Sequence, residues 1–479
     1  MKISVTAALA FFVLGLGSSS SLSAQELTRD ATKLYAQFCA SCHGAKLEGG
    51  SGGSLLGKVW KHGNGDDEHL TRMITQGIPA LGMPGFGESF GPARVRALVV
   101  FLQERAVRER EKTTSYAKPK GDVVVRSEAQ AFRIETVAEG LEVPSELAFL
   151  PNGGGVLIVE RKGDLRLVKE GKLLPEPVRG TPKVWAQGQG GLLAVACHPD
   201  YAKNGWVYLA FSDPGDDGAA MTAVVRGRIR DGAWVDQQDI YRAPNNLQRK
   251  GGVHFGTRLV FDRGYLFFAI GDRGAQDNAQ DLKRPNGKVH RVHDDGRVPT
   301  DNPFVNTPGA LPTIWSYGHR NPQGIALRPA ALAGGGGPQL WATEHGPRGG
   351  DELNLVLPGK NYGWPLVTFG MNYNGTPVSA ETKREGLEAP ALHWTPSIAV
   401  CGMTFYAGEK YPQWKGNLFV SSLAQEEVRR LVLKGDEVVS QEVLFRGIGR
   451  VRTVAEGPDG LLYVCLEGPG RVVRLVPVK

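Results

Sequence analysis

Gly155-Val-Leu-Ile-Val-Glu160, followed after a short turn by Asp164-Leu-Arg-Leu-Val168, is the stretch whose recurrence decides the fold. Both runs are apolar and rich in β-branched residues, the composition of strands that pack on a pleated surface. The first run recurs as Gly205-Trp-Val-Tyr-Leu-Ala210, Gly264-Tyr-Leu-Phe-Phe-Ala269, Gln339-Leu-Trp-Ala-Thr-Glu344, Gly416-Asn-Leu-Phe-Val-Ser421 and Gly460-Leu-Leu-Tyr-Val-Cys465. The second recurs as Lys288-Val-His-Arg-Val292, Glu352-Leu-Asn-Leu-Val356, Glu427-Val-Arg-Arg-Leu431 and Arg471-Val-Val-Arg-Leu475, and more loosely as Ala223-Val-Val-Arg-Gly-Arg228. Six short strand pairs with turn signals and long, uneven insertions predict an all-β six-bladed β-propeller with its insertions gathered round a central channel. Helical patterns between the strands, which a Rossmann domain requires, are not found. Phe132-Arg-Ile-Glu-Thr-Val137 is expected to supply a strand that closes the ring beside the last repeat.

Ahead of the repeats stands Cys39-Ala-Ser-Cys42-His43, two thiols and an imidazole at the spacing of a covalent haem c attachment site. Cys39 and Cys42 would form the thioethers and His43 one axial iron bond. Met83, in Gly77-Ile-Pro-Ala-Leu-Gly-Met83-Pro-Gly, is the candidate second axial ligand. Its rival, Met73, reads as packing on an amphipathic helix, and His62 and His69 read as surface residues. A zinc CxxC fits poorly, because no second close pair of cysteines exists. From about Thr28 to Glu109 the chain resembles a small class I cytochrome c, so an N-terminal all-α domain is expected.

The chain has 479 residues, 41% of them hydrophobic and 22% charged, which describes a globular protein large enough for two domains. Lys2 precedes an apolar run from Ile3 to Leu16, and Leu22-Ser-Ala24 precedes Gln25, the pattern of a cleaved secretory signal. The expected organisation is a signal peptide over 1–24, a cytochrome c domain over 25–110, a polar linker over 111–130 and the propeller over 131–479. Export to the periplasm follows, with no stable membrane insertion. A net charge of +7 without a basic run or binding motif argues against nucleic acid as a partner. Beyond the haem pair, Cys197, Cys401 and Cys465 form an odd remainder, which argues against a disulfide scaffold.

The loops between strands carry dense polar strings: Ala186-Gln-Gly-Gln189, Gly251-Gly-Val-His254-Phe-Gly-Thr-Arg258, Ile270-Gly-Asp272, Tyr317-Gly-His-Arg320-Asn321-Pro-Gln-Gly324, Glu344-His-Gly346-Pro347-Arg-Gly-Gly-Asp351-Glu352, Asn361-Tyr-Gly-Trp-Pro365 and Gly449-Arg450-Val-Arg452. In order and in spacing these resemble the soluble quinoprotein glucose dehydrogenases and the aldose sugar dehydrogenases. That resemblance implies a propeller that binds pyrroloquinoline quinone (PQQ) and calcium. It implies His254 as general base, Asp272 as its orienting carboxylate and Arg320 as the cation beside the quinone oxygen. Gln189 and Asn321 would hydrogen-bond cofactor or sugar, and Arg450 and Arg452, alternating along one strand, would pair with the cofactor's carboxylates. The carbonyls of Gly346 and Pro347 would hold one calcium ion. Glu352 with the carbonyl of Tyr362 matches a second, structural calcium site, or else Glu352 simply caps a turn.

One departure stands out. The family's glucose dehydrogenases carry a cofactor-binding lysine after a Ser-Leu pair, whereas Ser422-Leu423 is followed here by Ala424 and Gln425. Loops such as Phe369 to Pro377, which shape the family's sugar pocket, leave the substrate open. The expected activity is oxidation of an aldose to its lactone, with electrons passing through the haem to a soluble cytochrome or a respiratory-chain acceptor. A sorbosone or other aldehyde dehydrogenase, and a non-catalytic binding propeller, are the alternatives.

Overall fold

The structure, a computed structural model, describes residues 30–56, 60, 62–335 and 337–478. The expected signal peptide lies outside the described residues.

The second part of the chain forms six antiparallel sheets. In the first blade the strands run Pro144–Leu150, Gly155–Glu160, Leu165–Lys169 and Lys172–Leu173. The next four blades start at Leu192–Cys197, Val260–Asp262, Pro322–Arg328 and Val400–Phe405. These starting strands neighbour one another around a central channel. The six sequence repeats are the second and third strands of their blades, which are buried between neighbouring sheets and therefore read as near-continuous apolar runs.

The last blade contains Arg450–Glu456, Leu462–Glu467 and Arg471–Pro477, and its fourth strand is Ala131–Ala138 from the beginning of the region. Phe132 pairs with Pro477 and Ile134 with Leu475, so the ring is closed by the strand that the sequence suggested. Val125–Arg126 adds one more short strand by pairing with Ala131 and Phe132. Between blades, aromatic side chains interlock. Trp341 has no exposed surface and lies 6.1 Å, centroid to centroid, from Phe405 of the following blade. Burial of a side chain this large contributes about 1.5–3 kcal/mol.

The N-terminal part is helical: Ala31–Phe38, Ala40–His43, Asp67–Gln76 and Gly87–Glu111. Asp30 caps the first helix by accepting from the Thr32 amide at 2.8 Å, and Asp66 caps the third by accepting from the His69 amide at 2.8 Å. The fourth breaks at Gly91, where φ is +70°, and restarts with Pro92. Leu34, Tyr35, Leu70, Val95, Leu98 and Val99 form its core, and Met371 from the propeller is buried in the same cluster. No described helix is long and apolar enough to cross a membrane.

Candidate active site

Antiparallel pairing puts the start of each blade's first strand at the same end as the exit of its second. That geometry gathers the polar strings at one mouth. Gln189, His254 and the Arg320–Asn321 pair precede first strands, Arg450 and Arg452 open one, and Asp272 and Gly346–Pro347 follow second strands.

At the centre, His254 Nδ1 lies 2.6 Å from Asp272 Oδ1. The carboxylate fixes the ring proton on Nδ1 and leaves Nε2 as the basic nitrogen. The His254 side chain is 12% exposed, which leaves Nε2 within reach of a small solute, while Asp272 is sealed at 1%. Asp272 is held on every side: its Oδ1 also accepts from the Gly274 amide at 2.7 Å, and its Oδ2 accepts from the Trp364 indole N–H at 2.8 Å. The His254 backbone sits at φ +55°, an uncommon value outside glycine, and its amide donates to Gln189 Oε1 at 2.8 Å.

The two groups have matched protonation. Burial lowers the pKa of His254, Asp272 opposes this, and Arg320 and Arg273 reinforce it. Burial alone would raise the Asp272 carboxyl, yet the hydrogen bond and charge of His254, together with Arg320, hold it below the ordinary value. A neutral imidazole beside an ionised carboxylate is the resting state of a general base.

Arg320 donates from Nη1 to the carbonyls of His345 at 2.9 Å and Gly346 at 2.5 Å, and its guanidinium lies 5.4 Å from the Trp364 ring centroid. Asn321 accepts at Oδ1 from the Gly256 amide at 3.2 Å and from Gln323 at 3.1 Å. Its Nδ2 is buried without a partner among the described residues, as is His345 Nε2. Arg450 and Arg452 both reach Glu467, at 3.6 and 2.7 Å, although the strand bulges between Val451 and Thr453. The two guanidinium groups therefore converge on one carboxylate. Below them Arg258 crosses the channel, donating to the carbonyls of Ser145 at 3.1 Å and Arg452 at 3.0 Å and pairing with Glu146. Beneath this floor lies a cavity of about 340 Å³ lined by the later halves of the first strands.

The Gly346 and Pro347 carbonyls are consecutive. The first accepts from Arg320, the second from Ser397 Oγ at 2.9 Å, and each keeps a second lone pair. These neutral oxygen donors suit a hard cation. Glu352 stands among like charges, and burial and then Glu344 push its pKa well up. Its Oε2 accepts from Asn354 at 3.2 Å, and Tyr362 lies in the same wall. A half-buried carboxylate crowded by another is the environment a divalent cation relieves. Among the described residues no cluster of three or more metal-ligating side chains occurs. Ala424 is exposed and brings no charge to the mouth.

In the helical part, Cys39 and Cys42 take part in no disulfide, and His43 Nδ1 lies 2.7 Å from the Gly53 carbonyl. That contact places the ring proton on Nδ1 and turns the Nε2 lone pair to a ligand, the arrangement expected of a metal-binding histidine. Met83 is half-buried and pairs with Ile78 in an isolated antiparallel bridge. His69 is not a surface residue: it is 4% exposed, its ring lying 5.8 Å from that of Trp60 and its Nδ1 accepting from the Gly65 amide at 2.9 Å.

Comparison with known proteins fits this geometry. A family model described as Glucose / Sorbosone dehydrogenase matches residues 141–474. The chain belongs to that family. A second model, Cytochrome C oxidase, cbb3-type, subunit III, matches residues 26–102 and marks a cytochrome c domain. Aldose sugar dehydrogenase YliI of Escherichia coli (strain K12) is 45% identical over 352 residues, covering 72% of this chain and 92% of that protein. The crystal structure of soluble aldose sugar dehydrogenase from Escherichia coli in the apo-form superposes with a TM-score of 0.67 at 42% identity, over 72% of this chain and all of that one. The PQQ-bound structure of an aldose sugar dehydrogenase from Streptomyces coelicolor gives 0.58 at 28% identity, over 72% and 98%.

Within this glucose/sorbosone dehydrogenase chain, sequence reasoning missed Trp364 as a partner of Asp272, Glu467 as the shared partner of the arginines, and Arg273. Trp364 stood in a quoted string, but its contact spans 92 residues and only the fold reveals it. Arg273 follows Asp272 directly, and burial pulls its pKa down to about 10.

Proposed function

We propose that this protein oxidises an aldose at its anomeric carbon to the lactone, using PQQ and calcium, and passes the electrons to a haem c held by Cys39, Cys42, His43 and Met83. The observation that carries this reading is the His254–Asp272 pair set at a mouth that also gathers Arg320, Arg450 and Arg452. When bound, PQQ supplies a two-electron acceptor for the hydride leaving the anomeric carbon.

The chain's own residues do the rest. His254 Nε2 takes the hydroxyl proton, and Asp272 stabilises the imidazolium that results. His254, Arg320 and the Gly274 amide keep Asp272 ionised, and the Trp364 indole holds its other oxygen in place. Arg320, held by the His345 and Gly346 carbonyls, would offer positive charge to the oxygen of a bound quinone. The Nδ2 of Asn321, without a partner among the described residues, would donate to a ligand oxygen, and Gln189 fixes the His254 backbone. Arg450 and Arg452 would share their forks between Glu467 and the cofactor's carboxylates. Gly346 and Pro347 would hold the calcium of the quinone site, and Glu352 with Tyr362 a structural one. Covalent haem attachment and the signal-like N-terminus support a periplasmic location, and a soluble cytochrome or respiratory-chain component would be the electron acceptor.

The test is anaerobic. The purified, haem-containing protein is loaded with PQQ and calcium, offered a panel of aldoses, and followed through the absorption of reduced haem. Reduction that requires sugar, PQQ and calcium together is expected. Reduction of an added dye but not of haem would remove the relay, and reduction of neither would remove the activity.

A further inference from the structure

The helical domain rests on the turn that carries Gly346 and Pro347. Glu104, on the helix Gly87–Glu111 and 2% exposed, accepts at Oε2 from Arg348 Nε at 2.8 Å. Arg348 exchanges both backbone hydrogen bonds with Met371 at 2.9 Å, and the Met371 side chain is fully buried in the helical core. Gly349 holds φ +75°, and a Cβ there would lie 3.0 Å from Val100 of the helix. The positive φ favours glycine, and a side chain here would press on Val100. The far side of the same turn belongs to the mouth: the Gly346 amide donates to Asp351 Oδ1 at 3.0 Å and its carbonyl accepts from Arg320.

Arg348 is thus adjacent in the chain to Pro347 and clamped from the cytochrome side. We infer that the last helix of the cytochrome domain is a positioning element for the Gly346–Pro347 turn, with Glu104 acting through Arg348. The cytochrome domain is on this account a structural part of the propeller's cofactor site. Its catalytic consequence rests on the proposed PQQ and calcium chemistry, but the clamp does not. An interface that merely joins two domains would leave the turn's mobility and the cofactor's affinity untouched.

The full-length protein with Glu104→Gln separates these cases, with haem absorption and melting temperature as the check on folding. In cofactor-free protein, amide hydrogen exchange at Gly346, Arg348 and Gly350 is expected to accelerate about tenfold while amides of the first three blades keep their rates. PQQ titration at fixed calcium is expected to show about tenfold weaker binding, the usual scale for losing an outer support of a metal site. Arg348→Gln should reproduce both effects, and the double variant should add little to either single one. Unchanged exchange at the turn, or faster exchange with unchanged PQQ affinity, overturns the positioning role. If the unmodified protein takes up no PQQ, the proposed function falls, and the exchange data alone still decide whether the helix sets the turn.

Discussion

Replacing Asp272 by Asn changes one atom at the most enclosed point of the mouth. The carboxylate accepts from His254 Nδ1 and Gly274 N on one oxygen and from the Trp364 indole on the other. An amide cannot accept on both sides. With its oxygen toward His254, its NH₂ meets the indole N–H. With the NH₂ toward His254, the ring must move its proton to Nε2 and is no longer a base. A hydrogen bond to a charged group contributes about 1.5–3 kcal/mol, or roughly 10- to 150-fold in rate. Tautomer inversion in a comparable base–orienter pair extends the loss to about 10⁴-fold. Aldose oxidation by Asp272→Asn should therefore have kcat reduced by about 10²- to 10⁴-fold, with PQQ titration unchanged. The sign of the pH effect also follows. Burial already lowers the His254 pKa, so the acid limb of kcat/KM in the unmodified enzyme lies below the ordinary histidine value. Asp272 is the group that pulls it back up, so its neutralisation moves the limb further down. A kcat within threefold of the unmodified enzyme, or a limb displaced upward, would refute the base assignment.

Other outcomes test other parts. His254→Ala should abolish sugar-dependent dye reduction while PQQ binding, measured by titration, persists. Arg452→Met should weaken PQQ binding by roughly 10- to 100-fold, the scale of one charge-assisted bond, and Arg450→Met should cost less, because Arg450 is 45% exposed. His43→Ala should leave a covalently stained haem with altered absorption and no sugar-driven reduction, while dye reduction survives. His290 has no exposed surface, its nitrogens lie 3.0 Å from Thr313 Oγ1 and the Pro285 carbonyl, and burial pulls its pKa down to about 3. A depressed histidine contributes stability that is full above its unfolded value and declines as pH falls toward the folded one. At two units below the unfolded value this histidine costs about 2–3 kcal/mol, so His290→Gln should narrow the stability gap between pH 7.5 and 4.5 by that amount in denaturant titrations.

Much of the fold was legible because the second and third strands of every blade are walled by neighbouring sheets and must be apolar throughout. The first strands were not, since they line the channel. Pro144–Leu150 places Ser145 and Glu146 against Arg258, and Val260–Asp262 has only three residues. The polar strings of the mouth could be picked out along the chain, but their partners come from other blades. Trp364 reaches Asp272 and Glu467 gathers Arg450 and Arg452 only once the ring has closed. The stretch 369–377, which the resemblance associates with the sugar pocket, also reaches the helical domain: the Phe369 carbonyl accepts from Arg96 at 2.5 Å, and the Gly375 carbonyl from the Ala31 amide at 3.1 Å. The burial of His69 was not legible, because its ring is enclosed by Trp60 and the Gly65 amide in the loop ahead of its helix, which no apolar periodicity reports.

The strand Ala131–Ala138 has as its partner a segment far along the chain, Arg471–Pro477. Some 340 residues separate the two, so the ring cannot seal until Arg471–Pro477 has been made. Arg450 and Arg452 belong to that same late-finished sheet. A chain that stops before Arg471 would leave an open sheet edge and a loose pair of arginines, so such truncation products should be aggregation-prone and inert rather than partly active.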